Sequence, residues 1–124
     1  MLDHLTLNVS DYTTSKAFYE QALTTLGYEL RHDSATSREA GFVAGESPSL
    51  WVTERTPVCV GVHIAIRCEN RADVEAFHQA ACAAGGTDNG GPGIRDAYHA
   101  NYYGAYVLDP DGNNVEAVCH SAEG

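Results

Sequence analysis

The sequence predicts an α+β fold: two βαβββ repeat units forming a cupped, mixed but mostly antiparallel sheet, with the helices on its outer face. Three observations carry this. First, the chain resembles itself. Shifted by 59 residues, His4-Leu5-Thr6-Leu7 falls on His63-Ile64-Ala65-Ile66, Ala17-Phe18 on Ala76-Phe77, Ala22 on Ala81 and Gly27 on Gly86. Strand, helix and helix stop keep register without a gap, as in a repeated supersecondary unit. Second, each copy opens on strict apolar–polar alternation, the mark of a half-buried strand. Third, each alternating run leads into an apolar stripe at helical spacing. A sheet with its helix on one face leaves the other open, so two units side by side make a cup. One domain, 1–124, fits the length, with unit one about 1–56 and unit two about 57–120.

In residues 2–9, Leu5, Leu7 and Val9 take one face and His4, Thr6 and Asn8 the other. Ser10 or Asp11 can cap a helix from Tyr12 to about Leu26, with Phe18, Ala22 and Leu26 on its stripe and Gly27 as its stop. Strands are expected at roughly 28–33, 39–45 and 49–54, separated by Ser, Gly and Pro. The pattern restarts at Val58: Val60, Val62, Ile64 and Ile66 face inward, and Gly61, His63, Ala65 and Arg67 face away. Asn70 caps a helix from Arg71 to about Ala84, with Val74, Phe77 and Ala81 inward. Gly90-Gly91-Pro92-Gly93 reads as a loop. Strands at about 102–108 and 113–119 flank Asp109-Pro110-Asp111-Gly112, a tight turn in which proline presets φ and Gly112 tolerates φ > 0. Ser121 to Gly124 reads as a loose tail.

With 44% hydrophobic and 19% charged residues the chain can build a core. Its net charge is −10, and its seven Lys and Arg are scattered. That excludes nucleic acid as a partner, since phosphate neutralisation needs clustered cations. The N-terminus carries no basic and apolar leader and no run is long enough to span a bilayer, so the expectation is a cytoplasmic protein with no membrane partner. Cys59, Cys68, Cys82 and Cys119 form no CxxC and read as reduced packing residues.

The candidate chemistry starts from Glu116, one carboxylate in a short β-branched strand. A buried charge needs a partner. Arg67, on the face of His63, is one candidate. The repeat supplies others: His4 and His63 are equivalent residues on equivalent strands, both on the polar face. If the units are related by a pseudo-twofold, both converge on its axis, and His4, His63 and Glu116 make a two-imidazole, one-carboxylate set. That set suits Fe, Zn, Mn or Ni and leaves positions open for water or substrate oxygens. Tyr98, His99, Tyr102 and Tyr103 form a second cluster: either packing residues or an acid–base and substrate-orienting lid. Strand parity groups Tyr102, Gly104 and Tyr106 on one face and Tyr103 and Ala105 on the other, leaving open which faces the cup.

The repeat, Phe18-Tyr19 with Leu26-Gly27, and Asp109-Pro110-Asp111-Gly112 leading to Glu116 resemble the vicinal oxygen chelate superfamily. It includes glyoxalase I, extradiol dioxygenases, fosfomycin-resistance thiol transferases and bleomycin-binding proteins. The resemblance implies metal ligands at His4, His63 and Glu116, and a homodimer with units paired within one chain or exchanged between chains. Where glyoxalase I has a fourth ligand, this chain has Trp51, which cannot ligate and either walls a pocket or packs. Tyr106, Asp109, Pro110, Gly112 and Glu116 follow dioxygenase spacing, but the histidine expected near Ala97 is displaced to His99. The resemblance therefore implies a divalent-metal-dependent glyoxalase-like lyase or isomerase acting on a small molecule with neighbouring oxygens. Glu116, His99 and Tyr102 would be catalytic, and Trp51, Arg67, Tyr98, Tyr103 and Tyr106 would contact substrate. The alternatives are an extradiol-type ring-cleaving dioxygenase and a non-catalytic drug-binding resistance protein.

Overall fold

The computed structural model describes residues 1–122; Glu123 and Gly124, half of the expected loose tail, lie outside the described residues. The elements are β1 (His4–Val9), α1 (Tyr12–Thr24), β2 (Glu29–Ser34), β3 (Glu39–Val43), β4 (Ser49–Glu54), β5 (His63–Cys68), α2 (Arg71–Ala83), β6 (Thr87–Ile94), β7 (Tyr103–Leu108) and β8 (Asn114–Cys119). The expected βαβββ unit occurs twice. Both N-caps form as side-chain chemistry dictates: Asp11 accepts from the Thr14 amide at 3.0 Å, and Asn70 from the Asp73 amide at 2.9 Å. α1 ends earlier than its stripe suggests, at Thr24, and Gly27 takes φ +88° beyond it.

The strands make two four-stranded ladders, ordered β1-β4-β3-β2 and β5-β8-β7-β6. Each has one parallel pair, β1 with β4 or β5 with β8, and two antiparallel pairs. The parallel pair is a consequence of the helix, which carries the chain back across the sheet. The anticipated cup is therefore two equivalent ladders, each with its first strand at an edge.

One correction concerns residues 87–94. They form edge strand β6, where the sequence reads as a glycine loop. The glycines supply no β-branched signal, and Pro92 is tolerated because an edge strand need not donate on its outer side. Its register against β7 shifts twice, as expected of a glycine-rich edge.

One face of each ladder lies under its helix. Leu7, Val9, Phe42, Leu50 and Val52 pack with Phe18, Tyr19, Ala22 and Leu23. In unit two, Ala105, Val107, Val115, Ala117 and Cys119 pack with Val74, Phe77 and Ala81. The helices also touch one another, so the core is continuous. Gly86 is required there: a Cβ would meet Val107 Cγ1 at 2.4 Å and Phe18 Cε1 at 2.6 Å. The four cysteines are free, and burial raises the Cys68 pKa to about 11, keeping it a thiol.

The Asp109-Pro110-Asp111-Gly112 turn fastens the units together. Asp109 is buried; its Oδ1 accepts from the amides of Asp111 and Asn113, both at 2.9 Å, and its Oδ2 from Tyr19 Oη of α1 at 2.6 Å. Asp111 accepts from the Ser10 amide and hydroxyl at the start of α1. Asn113, fully buried, accepts from the Val62 amide and donates to the Cys59 carbonyl.

Candidate functional site

The open face of unit two follows from its register. On β5 it presents His63, Ala65 and Arg67; on β8, Asn114, Glu116 and Val118, paired opposite them. Tyr106 and Gly104 of β7 pair with Glu116 and Val118. Parity therefore resolves as Tyr102, Gly104 and Tyr106 toward Glu116.

Glu116 is the centre of this face and only 1% exposed. His63 Nε2 donates to its Oε1 at 2.7 Å, and Tyr102 Oη donates to its Oε2. Gly104 gives the carboxylate room, since a Cβ there would sit 3.4 Å from Oε2. Burial, then the bond to Glu116, hold the Tyr102 pKa well above its usual 10.0, so its proton stays on oxygen. Tyr106 is also buried, its pKa raised by burial and then by the Glu116 charge, and with the Tyr102 phenol as a neighbour its hydroxyl still makes no hydrogen bond of good geometry among the described residues.

A ring cluster borders Tyr102. Tyr98 lies 4.8 Å from it and His99 5.3 Å, centre to centre. His99 stacks on His120 at 4.5 Å, and desolvation, helped by His99 and Arg67, lowers the His120 pKa. His120 is a residue sequence reasoning missed. It shares the parity of Glu116, four positions on, but lies just past the end of β8.

The expected site residues divide. His63, Glu116, Tyr98, His99, Tyr102 and Tyr106 come together. Arg67 shares their face without bonding Glu116: the carboxylate's partners are an imidazole and a phenol. Tyr103 is on the helix side, where its hydroxyl donates to Glu75 at 2.7 Å and its ring lies under the Arg71 guanidinium at 4.9 Å. His4 and Trp51 are on the open face of unit one. His4 is exposed, with Nδ1 2.7 Å from Asp3. Trp51 stacks on His32, another residue not anticipated, at 4.9 Å, and covers Gly41, where a Cβ would meet the indole at 2.8 Å. His4 and Trp51 line a cavity of about 410 Å³ with Thr6, Glu39, Thr53 and Arg55. Among the described residues no three His, Cys, Asp or Glu side chains gather closely enough to hold a metal ion.

Two of the expected ligand atoms, His63 Nε2 and Glu116 Oε1, nevertheless converge within one chain. A carboxylate this buried, without an arginine or lysine among the described residues, is the kind of group a cation would stabilise, and His63 and Glu116 are two of the three donors expected for one.

Fold and site together define a paired-βαβββ protein with a buried glutamate and its histidine on the open face of the second unit. A family model described as Glyoxalase/Bleomycin resistance protein/Dioxygenase superfamily matches residues 1–117, and the chain belongs to that superfamily. Among solved structures it is similar to a glyoxalase/bleomycin resistance protein from Albidiferax ferrireducens T118, at 28% identity and TM-score 0.83, covering 98% of this chain and 99% of that one. It shares its fold with lactoylglutathione lyase from Agrobacterium tumefaciens (17% identity, TM-score 0.69, 95% and 92% covered). It also shares it with the fosfomycin resistance protein FosX from Mesorhizobium loti (19%, 0.69, 98% and 92%). A search among curated proteins found no match. Among the described residues no helix is long and apolar enough to cross a membrane.

Proposed function

We propose that the protein is a divalent-metal-dependent, glyoxalase-like lyase or isomerase. Its substrate is a small molecule that offers two neighbouring oxygens. The observation that carries this reading is Glu116: buried, without an arginine or lysine partner among the described residues, and sharing with His63 one point on the open face. His63 and Glu116 would hold the ion, with His4 of a second copy as third ligand. Fe, Zn, Mn and Ni all suit such a set. The ion would supply electrophilic stabilisation of charge developing on substrate oxygens.

The chain's own groups do the rest. Tyr102, kept protonated, orients the Glu116 carboxylate through Oε2. His99 and His120 bring titratable nitrogens against Tyr102, where protons can enter and leave. Tyr98 covers that cluster from the exposed side. Trp51, in the place of a fourth ligand, offers an aromatic wall.

Elemental analysis of protein purified without added metal tests the reading. Wild type is expected to retain one divalent ion per site, and His63→Ala to lose it. Equal metal content in the two would refute the site. Iron with oxygen uptake on catechols would favour the ring-cleaving alternative. Tight binding of an aromatic drug with neither metal nor turnover would favour sequestration.

A further inference from the structure

Cations are scarce here: seven Lys and Arg against 17 Asp and Glu. Lys16, Arg31 and Arg38 pair with Asp33, Glu29 and Glu54, and among the described residues Arg55, Arg67 and Arg71 form no ion pair. Arg95 forms no salt bridge among the described residues. Its side chain folds back along β6 instead. Nη2 donates to the Gly91 carbonyl at 2.7 Å, Nη1 reaches the Ile94 carbonyl at 3.5 Å, and the guanidinium carbon sits 5.3 Å from the centre of the Tyr106 ring.

The glycines of β6 make this possible. A Cβ on Gly93 would lie 2.9 Å from Arg95 Nη1; one on Gly90 would lie 3.4 Å from Nη2 and 2.9 Å from Tyr106 Cδ1. Tyr106 is the register partner of Glu116 and is 8% exposed, and its buried hydroxyl has no hydrogen-bond partner among the described residues. An unpaired buried hydroxyl costs stability unless something bonds it. A guanidinium with five donors also has donors left after its two backbone carbonyls. The Arg95 guanidinium, without a counter-charge among the described residues, thus lies on the ring of a phenol whose hydroxyl has no acceptor there, and an oxyanion at the guanidinium would supply the missing charge.

We infer that Arg95 and Tyr106 recognise an oxyanion, and that the molecule taken by the Glu116 site carries a carboxylate or phosphate besides the oxygens it offers a metal. The planar guanidinium fork matches either group bidentately, and stacking on Tyr106 holds the fork in place. The inference rests on reading the open face of unit two as the substrate site. It does not need the metal.

The test is calorimetric titration of chelator-treated and of metal-loaded protein with three probes: 2-oxobutyrate, its uncharged amide, and inorganic phosphate. At least one anion is expected to bind and the amide to bind more weakly; which anion binds tells carboxylate from phosphate. Arg95→Gln is expected to weaken that anion about tenfold or more, the scale of a lost charge-assisted hydrogen bond, with Arg95→Lys recovering part of the loss. Gly93→Ala, which displaces the guanidinium without removing it, is expected to weaken the same probe. Tyr106→Phe should cost about threefold or more, the scale of one neutral hydrogen bond, with no fall in the unfolding midpoint. Equal affinity of wild type and a normally folded Arg95→Gln, or no binding of either anion to wild type in either state, overturns the inference. Metal retained in Arg95→Gln without Arg95-dependent anion binding defeats this inference alone. Arg95-dependent anion binding with no metal in any preparation defeats the metal reading alone.

Discussion

Glu54 shows how one residue makes stability depend on pH. It accepts from Arg38, at 2.7 Å from Nη2, and from the Tyr12 amide at 3.0 Å in the first turn of α1. The Arg38 guanidinium first, then that amide, bring its pKa from 4.5 to about 2. A depressed folded pKa means the stabilisation is complete above 4.5 and is lost as pH falls through about 2. Glu54→Gln should therefore be less stable than wild type at neutral pH, with the gap closing as pH falls from 4.5 toward 2. Urea midpoints across that range measure it, and a gap independent of pH would contradict the assignment. At this scale the sequence was informative wherever a residue type was costly in its context. Glu116 announced itself as a carboxylate in an apolar strand. Arg67 looked like its counter-charge because face and strand can be read from spacing, but distance cannot. His120 was hidden by lying one residue beyond a strand whose parity it shares. Parity put Tyr103 and Tyr106 on opposite faces, and only register with β8 decided which of them faces Glu116.

Among elements, the last turn carries more than a reversal of direction. Asp109 accepts from Tyr19 Oη, from two amides and from Asn113 Nδ2, at 2.6 to 3.1 Å. With Asp111 it ties α1 to the β7–β8 hairpin that presents Glu116. Burial and Asp109 together push the Tyr19 pKa well up, so the phenol remains a donor. Asp109→Ala would leave a buried hydroxyl and buried amides unpaired, each costing roughly 1–3 kcal/mol. The expected loss is about 3 kcal/mol or more, read from denaturant unfolding; a loss under about 1 kcal/mol would mean that water replaces the carboxylate. The turn was visible in the sequence as Asp-Pro-Asp-Gly, but its hold on α1 was not, because Tyr19 is 90 residues away. The reverse failure occurred at β6. Its glycines have no strand propensity, and the strand exists because β7 offers it a ladder and Arg95 and Tyr106 need its missing side chains. Tertiary context overrode local preference there.

In the whole molecule, the 59-residue repeat made two units legible without specifying how they share a site. His4 heads β1 on the open face of unit one, and His63 and Glu116 lie on the open face of unit two; within the described chain the three do not gather. β1 and β5 are both edge strands. Between them runs a groove of about 250 Å³ lined by Leu2, Leu5, Leu50, Ile64 and Ile66. The proposed site requires a second copy whose unit one brings its own His4 to this chain's Glu116. The protein is therefore expected to sediment as a dimer at micromolar concentration; a monomer there would exclude the arrangement. Subunit mixing tests the shared site directly. Homodimers of His4→Ala or of Glu116→Gln would lack a ligand in both sites. A heterodimer would collect both substitutions in one site and leave the other intact. Random exchange makes half of all dimers mixed, so co-refolded variants should recover about a quarter of the wild-type metal. If His4 instead serves its own chain's Glu116, every site in the mixture keeps a defect and no metal returns.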